Sequence, residues 1–71
     1  MQLTVNGKQT SIADQEVLSV TNLLEVLQVS QREYVTVELN GEILDRAEFD
    51  GATVKSGDAV EFLYFMGGGA L

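Results

Sequence analysis

Residues 34–44 read YVTVELNGEIL. Val35, Val37 and Leu39 alternate with Thr36 and Glu38, the period-two pattern of a strand with one apolar face. Asn40-Gly41 follows. A two-residue type I′ turn needs positive φ at both central positions, and Asn-Gly meets that need best. Glu42-Ile43-Leu44 is then the return strand, so the stretch is a β-hairpin. The same signal recurs at the start of the chain. Leu3, Thr4 and Val5 lead into Asn6-Gly7, and Lys8 to Ile12 returns with Thr10 and Ile12 on one face.

Between the hairpins, residues 19–28 read SVTNLLEVLQ. Val20, Leu23, Leu24 and Leu27 fall at i, i+3, i+4 and i+7, one apolar face of a helix. Ser19 or Thr21 is the expected N-cap, and two to three turns are expected. Residues 45–58 are polar and punctuated by Asp50-Gly51 and Ser56-Gly57-Asp58, so this stretch reads as irregular. Phe49 and Val54 are its expected apolar anchors. Ala59 to Met66 is the last strand, with Val60, Phe62 and Tyr64 on one face and Glu61, Leu63 and Phe65 on the other.

Hairpin, helix, hairpin and a final strand imply an α+β domain. The expected architecture is a mixed sheet of four to five strands with one main helix packed on one face. By analogy, that order at this size suits a β-grasp arrangement. Residues 1–66 are read as the domain and residues 67–71 as a flexible Gly-rich tail.

Composition narrows the chemistry. The chain has 71 residues, 4 Lys+Arg against 11 Asp+Glu, and a formal net charge of -7. It has no Cys and no His, so no thiol nucleophile, thiolate metal site or imidazole base is available. A domain this small encloses a substrate with difficulty, which argues against a self-contained enzyme. Lys8, Arg32, Arg46 and Lys55 are scattered singly, which argues against nucleic acid and against an anionic membrane surface. No secretory signal and no membrane-spanning apolar run is visible, so the cytoplasm is the expected compartment.

Gly67-Gly68-Gly69 follows the last strand without a polar spacer. Glycine is costly to order and buries no side chain, so the run is expected to project from the domain. A glycine carboxylate at a chain end is sterically open. A partner enzyme can activate it with ATP as an acyl-adenylate, and a sulfur donor can then displace AMP to leave a thiocarboxylate. A frayed end or a linker to a further segment is the plainer reading of the same residues.

Several motifs now combine. Asn40-Gly41-Glu42-Ile43-Leu44 is followed by Arg46 with Phe49, by Gly57-Asp58 and by Gly68-Gly69. In this order the chain resembles the ThiS/MoaD family of ubiquitin-like sulfur carriers, and in particular the ThiS type, over essentially its whole length. The resemblance implies a β-grasp fold and a carrier that is not itself an enzyme. It implies a ThiF/MoeB-like adenylyltransferase as partner, with ATP used by that partner and no cofactor bound by the carrier. It further implies a thiocarboxylate on Gly69 and sulfur donation to a ThiG-like thiazole synthase in thiamin biosynthesis.

One departure stands out. The family's mature form ends at the second glycine of the pair, whereas this chain continues with Ala70-Leu71. The extension is either a remnant of cloning or a native segment removed after Gly69. Some relatives lose such extensions to a JAMM-type metalloprotease and serve cysteine or homocysteine sulfur assimilation. A β-grasp module that only binds proteins, and a ubiquitin-like protein tag, are the other readings.

Leu63, Phe65 and Met66 lie beside the tail and are the candidate docking patch for the activating partner, since aromatic residues and Met are enriched at interface cores. Coverage by the helix is the alternative. Asp58 is expected to shape a turn, with a partner contact as the lesser reading. Arg46 is expected to be solvated, with pairing to a partner carboxylate as the lesser reading. Glu38, Glu42 and Glu61 are expected to share a solvated acidic sheet face or one that meets a basic partner.

Overall fold

The computed structural model describes residues 1–64. Among the described residues there are seven strands and one helix: β1 (Gln2–Val5), β2 (Lys8–Ser11), β3 (Val17–Ser19), α1 (Val20–Val26), β4 (Val35–Leu39), β5 (Glu42–Leu44), β6 (Thr53–Lys55) and β7 (Ala59–Tyr64). Arg46–Glu48 form a single 3-10 turn.

Both Asn-Gly turns fold as their sequence requires. Asn6 and Gly7 have φ of 50° and 83°, and Asn40 and Gly41 have φ of 51° and 88°. The closing pairs are Val5 with Lys8 and Leu39 with Glu42. These two-residue turns fix the register of β1–β2 and of β4–β5.

The main sheet has five strands in the order β2-β1-β7-β4-β5. β1 and β7 run parallel, and the other neighbours are antiparallel. The last strand in sequence is therefore the central strand in space. α1 packs on one face, giving the α+β, β-grasp arrangement. Leu3, Val20, Leu23, Val37, Val54 and Val60 are fully buried between them, with Ile12, Leu18, Leu24, Val35 and Phe49 completing the core.

The helix spans seven residues, the shorter end of the expected two to three turns, with Leu27 as its C-cap. Ser19 is the N-cap, and its hydroxyl accepts from the Asn22 N–H at 3.1 Å. Gln28, with φ of 54°, ends the helical run. Thr21, the other candidate cap, instead donates its hydroxyl to Asp50 Oδ1 at 2.6 Å.

The segment 45–58 is more ordered than its turn-rich composition suggests. Thr53–Lys55 pairs antiparallel with Val17–Ser19 as a separate two-stranded sheet. Leu18 faces Val54 across it, and both are buried. Phe49 and Val54 are core residues, as their apolar character in a polar stretch predicts.

Candidate functional site

The glycine run and its neighbours Phe65, Met66, Gly67, Gly68, Gly69, Ala70 and Leu71 lie outside the described residues. The described part of the candidate site is the platform from which that segment continues, the end of β7.

β7 is anchored on both sides. β1 contributes the parallel pairs Thr4–Ala59 and Val5–Val60, and β4 contributes five antiparallel pairs from Leu39–Val60 to Val35–Tyr64. The two Asn-Gly turns also hold it through their side chains. Asn6 Oδ1 accepts from the Phe62 N–H at 2.8 Å, and Asn40 Oδ1 accepts from the Ala59 N–H at 2.9 Å. Each asparagine thus supplies a left-handed turn residue and an acceptor for the central strand.

Asp58 sits at the root of β7 and is buried. Its carboxylate accepts from Asn40 Nδ2 at 3.1 Å, from the Lys55 N–H at 2.9 Å and from Lys55 Nζ at 3.3 Å. Burial pushes this carboxyl up. The hydrogen bonds from Asn40 and Lys55 and the Lys55 charge outweigh burial and hold it below its ordinary value. Asp58 shapes the turn into β7, as expected from Gly57-Asp58.

At the other end of the strand, Tyr64 lies opposite Val35 on the helix side of the sheet. Its hydroxyl donates to the Ser30 carbonyl at 2.7 Å. Arg46 is exposed, as its sequence reading expects. Its guanidinium also donates to the Arg32 carbonyl at 2.5 Å and to the Val35 carbonyl at 3.0 Å, and it lies 5.5 Å from the centre of the Phe49 ring. Tyr64 and Arg46 together tie the 29–34 loop to the end of β7 and the start of β4.

The face of the sheet away from α1 carries Leu63, half-buried, opposite Thr36. The helix does not cover it, because its neighbours Phe62 and Tyr64 point to the other side. Next along the same face Glu61 lies directly opposite Glu38. Beyond Glu38 on β5 is Ile43, which is 63% exposed. Glu42 departs from the expected acidic face. It pairs with Leu39, so it belongs to the helix side.

The Glu38 carboxyl is held above its ordinary range. The hydrogen bond shared with Glu61 is the main cause, followed by desolvation and by repulsion from Glu61. Neither this opposition nor the Arg46 contacts were named from sequence. The side taken by Glu42 was accessible in principle, because a two-residue turn after Leu39 places Glu42 opposite it, whereas the β4–β7 register that opposes Glu38 and Glu61 joins segments that no turn connects.

No described cluster of three or more His, Cys, Asp or Glu is placed to hold a metal. An open depression of about 480 Å³ is lined by Met1, Gln15, Glu16, Val17, Lys55 and Ser56. It lies beside the start of β1, at the opposite end of the sheet from Tyr64. No described helix is long and apolar enough to cross a membrane.

Comparison with known proteins agrees with this geometry. The ThiS family model matches residues 3–69. The crystal structure of a thiamine biosynthesis protein (ThiS) from Geobacter metallireducens is 66% identical, with a TM-score of 0.93 over 96% of this chain and 99% of that one. An NMR solution structure of a thiamine biosynthesis protein from the same organism is also 66% identical, with a TM-score of 0.79 over 100% of this chain and 91% of that one. A search of curated proteins finds no match. The match spans nearly the whole chain and ends on the third glycine of the run, and on that ground the chain belongs to the ThiS family.

Proposed function

We propose that this protein is the sulfur carrier of thiamin biosynthesis, with the Gly69 carboxylate as its reactive group. The family match carries the reading, because it stops at Gly69 and leaves Ala70-Leu71 outside. The carrier supplies no catalysis, consistent with a chain that has no Cys and no His. A ThiF/MoeB-like adenylyltransferase provides it.

Hydrolysis of the Gly69–Ala70 peptide bond consumes one water and releases the Ala-Leu dipeptide. The freed carboxylate attacks the α-phosphorus of ATP, and pyrophosphate leaves. Hydrosulfide from a sulfur donor then attacks the acyl carbon, AMP leaves with the bonding pair of the C–O bond, the sulfur loses its proton to solvent, and a thiocarboxylate remains. A ThiG-like thiazole synthase accepts that sulfur. Glycine at the last three positions leaves the acyl carbon unobstructed, since no Cβ stands beside it.

The activating partner docks on the helix-free face of the sheet, where Leu63 continues into Phe65 and Met66 in sequence. Aromatic and Met residues that follow in sequence from that face suit the centre of such an interface. Ala70-Leu71 favours one second reading: a JAMM-type metalloprotease matures the carrier, and the sulfur serves cysteine or homocysteine assimilation.

Intact mass spectrometry tests the reading. A chain ending at Gly69 should form an AMP adduct when incubated with the adenylyltransferase and ATP, and the 71-residue chain should not. Absence of an adduct on the Gly69-ended chain refutes it. Sulfur transfer to a thiazole synthase, as against an amino-acid sulfhydrylase, separates the two pathways.

A further inference from the structure

Glu38 and Glu61 face each other across the β4–β7 register, on the side of the sheet that α1 leaves open. Directly opposed residues of an antiparallel pair have Cβ atoms only about 5 Å apart, and like charges there destabilise the sheet. Sheets ordinarily avoid this arrangement or place a cation beside it.

Here no cation of the chain serves. The chain has four Lys and Arg, all within the described residues. Lys55 pairs with Asp58. Arg46 is committed to the Arg32 and Val35 carbonyls, and the Arg32 Nε–H to the Val29 carbonyl. Lys8 lies opposite Val5, on the helix side at the edge of the sheet. The Glu38 carboxyl is instead held above its ordinary value by Glu61 opposite it.

The surroundings are those of a contact surface. Leu63 follows Glu61 on the same face, and the exposed Ile43 flanks Glu38. Apolar groups around a charge pair exclude water when a partner closes over them, which raises the value of the pair. A second copy of this chain does not fit, because it would bring the same two carboxylates and a further charge of -7. A guanidinium fits well: it is planar, permanently charged and able to donate to two carboxylates at once.

We propose that Glu38 and Glu61 receive one arginine side chain of the activating partner, seated between Leu63 and Ile43, and that this contact selects the partner. The proposal rests on the carrier reading above and names the chemistry by which that partner is recognised. In the free protein the two glutamates oppose folding. In the complex the arginine neutralises both.

The two states make opposite demands on the same residues, and this is the test. The Gly69-ended carrier is assayed as substrate in ATP–pyrophosphate exchange by the adenylyltransferase, and its urea unfolding is followed in parallel. Glu61→Gln and Glu38→Gln should each raise KM about tenfold or more with kcat within about twofold. Their urea midpoints should equal or exceed that of the parent, since a repulsion has been removed. Glu42→Gln removes the same charge from the other side of the sheet and should leave KM within about twofold.

An unchanged KM in the Glu38 and Glu61 variants overturns the proposal. So does an equal rise in Glu42→Gln, which would make the effect one of net charge alone. A KM rise that tracks a lowered urea midpoint also overturns it. No exchange with the parent carrier would instead overturn the carrier reading itself, whatever the variants do.

Discussion

Asp58→Ala is the perturbation whose consequences the structure defines most fully. The buried carboxylate accepts from Asn40 Nδ2 at 3.1 Å, the Lys55 N–H at 2.9 Å and Lys55 Nζ at 3.3 Å. The Lys55 side chain is 72% exposed, so its ion pair contributes little. The weight falls on the two remaining bonds to a charged acceptor, each worth roughly 1.5–3 kcal/mol. Discounting for water that reaches the freed donors, the loss is about 3 kcal/mol. A domain of this size has a total stability of roughly 4–10 kcal/mol. Tm should therefore fall by about 12–24 °C. Circular dichroism during heating and urea titration measures both, as the chain has no Trp for fluorescence.

The pH dependence supplies a second arm with a defined sign. The folded carboxyl lies below its ordinary value of 3.8. Its contribution is therefore complete above the unfolded value and is lost as the pH falls through the lowered folded value. Asp58→Asn keeps one acceptor but cannot ionise, so it should flatten this part of the acid transition relative to the parent. An Asp58→Ala loss under about 0.5 kcal/mol would refute the argument that Asp58 organises the turn, being no more than an ordinary surface substitution costs. An unchanged acid slope in Asp58→Asn would refute the assigned cause of the shift.

Three further substitutions test separate parts of the fold. Leu23→Ala empties a fully buried position between helix and sheet, and should cost about 2–5 kcal/mol in urea unfolding. Gly41→Ala forces a Cβ into a residue at φ of 88°, where open space surrounds the site but the backbone conformation is strained; a loss of about 1 kcal/mol is expected, and no loss would count against a type I′ turn. Tyr64→Phe removes the hydroxyl that donates to the Ser30 carbonyl, at a cost of roughly 0.5–1.5 kcal/mol. Its hydrogen-exchange protection should fall in residues 29–34 and at the end of β7, and an unchanged pattern there would exclude Tyr64 as the tie.

The legible parts of this fold are those in which the chain decides its own backbone. Asn6-Gly7 and Asn40-Gly41 accept positive φ more readily than most pairs, so both hairpins and their registers followed directly. The alternation of Val35, Val37 and Leu39 marked the buried side of β4. The strands β3 and β6 were not legible, because each has three residues and only Leu18 and Val54 are buried. Their pairing joins segments more than 30 positions apart, and no local propensity encodes it. The bonds made by the exposed Arg46 were not legible for the same reason: its acceptors are the backbone carbonyls of Arg32 and Val35, which no motif reports.

The candidate site divides along the same line. The glycine run is visible as composition, three consecutive glycines outside the described residues, while the sheet face needed register. Placing the glycines after β7 has a structural logic. β7 is flanked on both sides, held at Ala59 and Phe62 by asparagine side chains and at its root by Asp58. An edge strand has hydrogen-bonded neighbours on one side only and frays more readily. Had the glycines followed β2 or β5, force or binding at the chain end would act on such an edge. From the central strand, the terminus starts at a fixed point next to Leu63 and the Glu38–Glu61 pair. A partner that closes on that face therefore meets the start of the terminal segment at a set distance. This arrangement ties the residues that lead into the glycine run to the central strand of the sheet, the one strand with hydrogen-bonded neighbours on both sides that is also held by both asparagine turns.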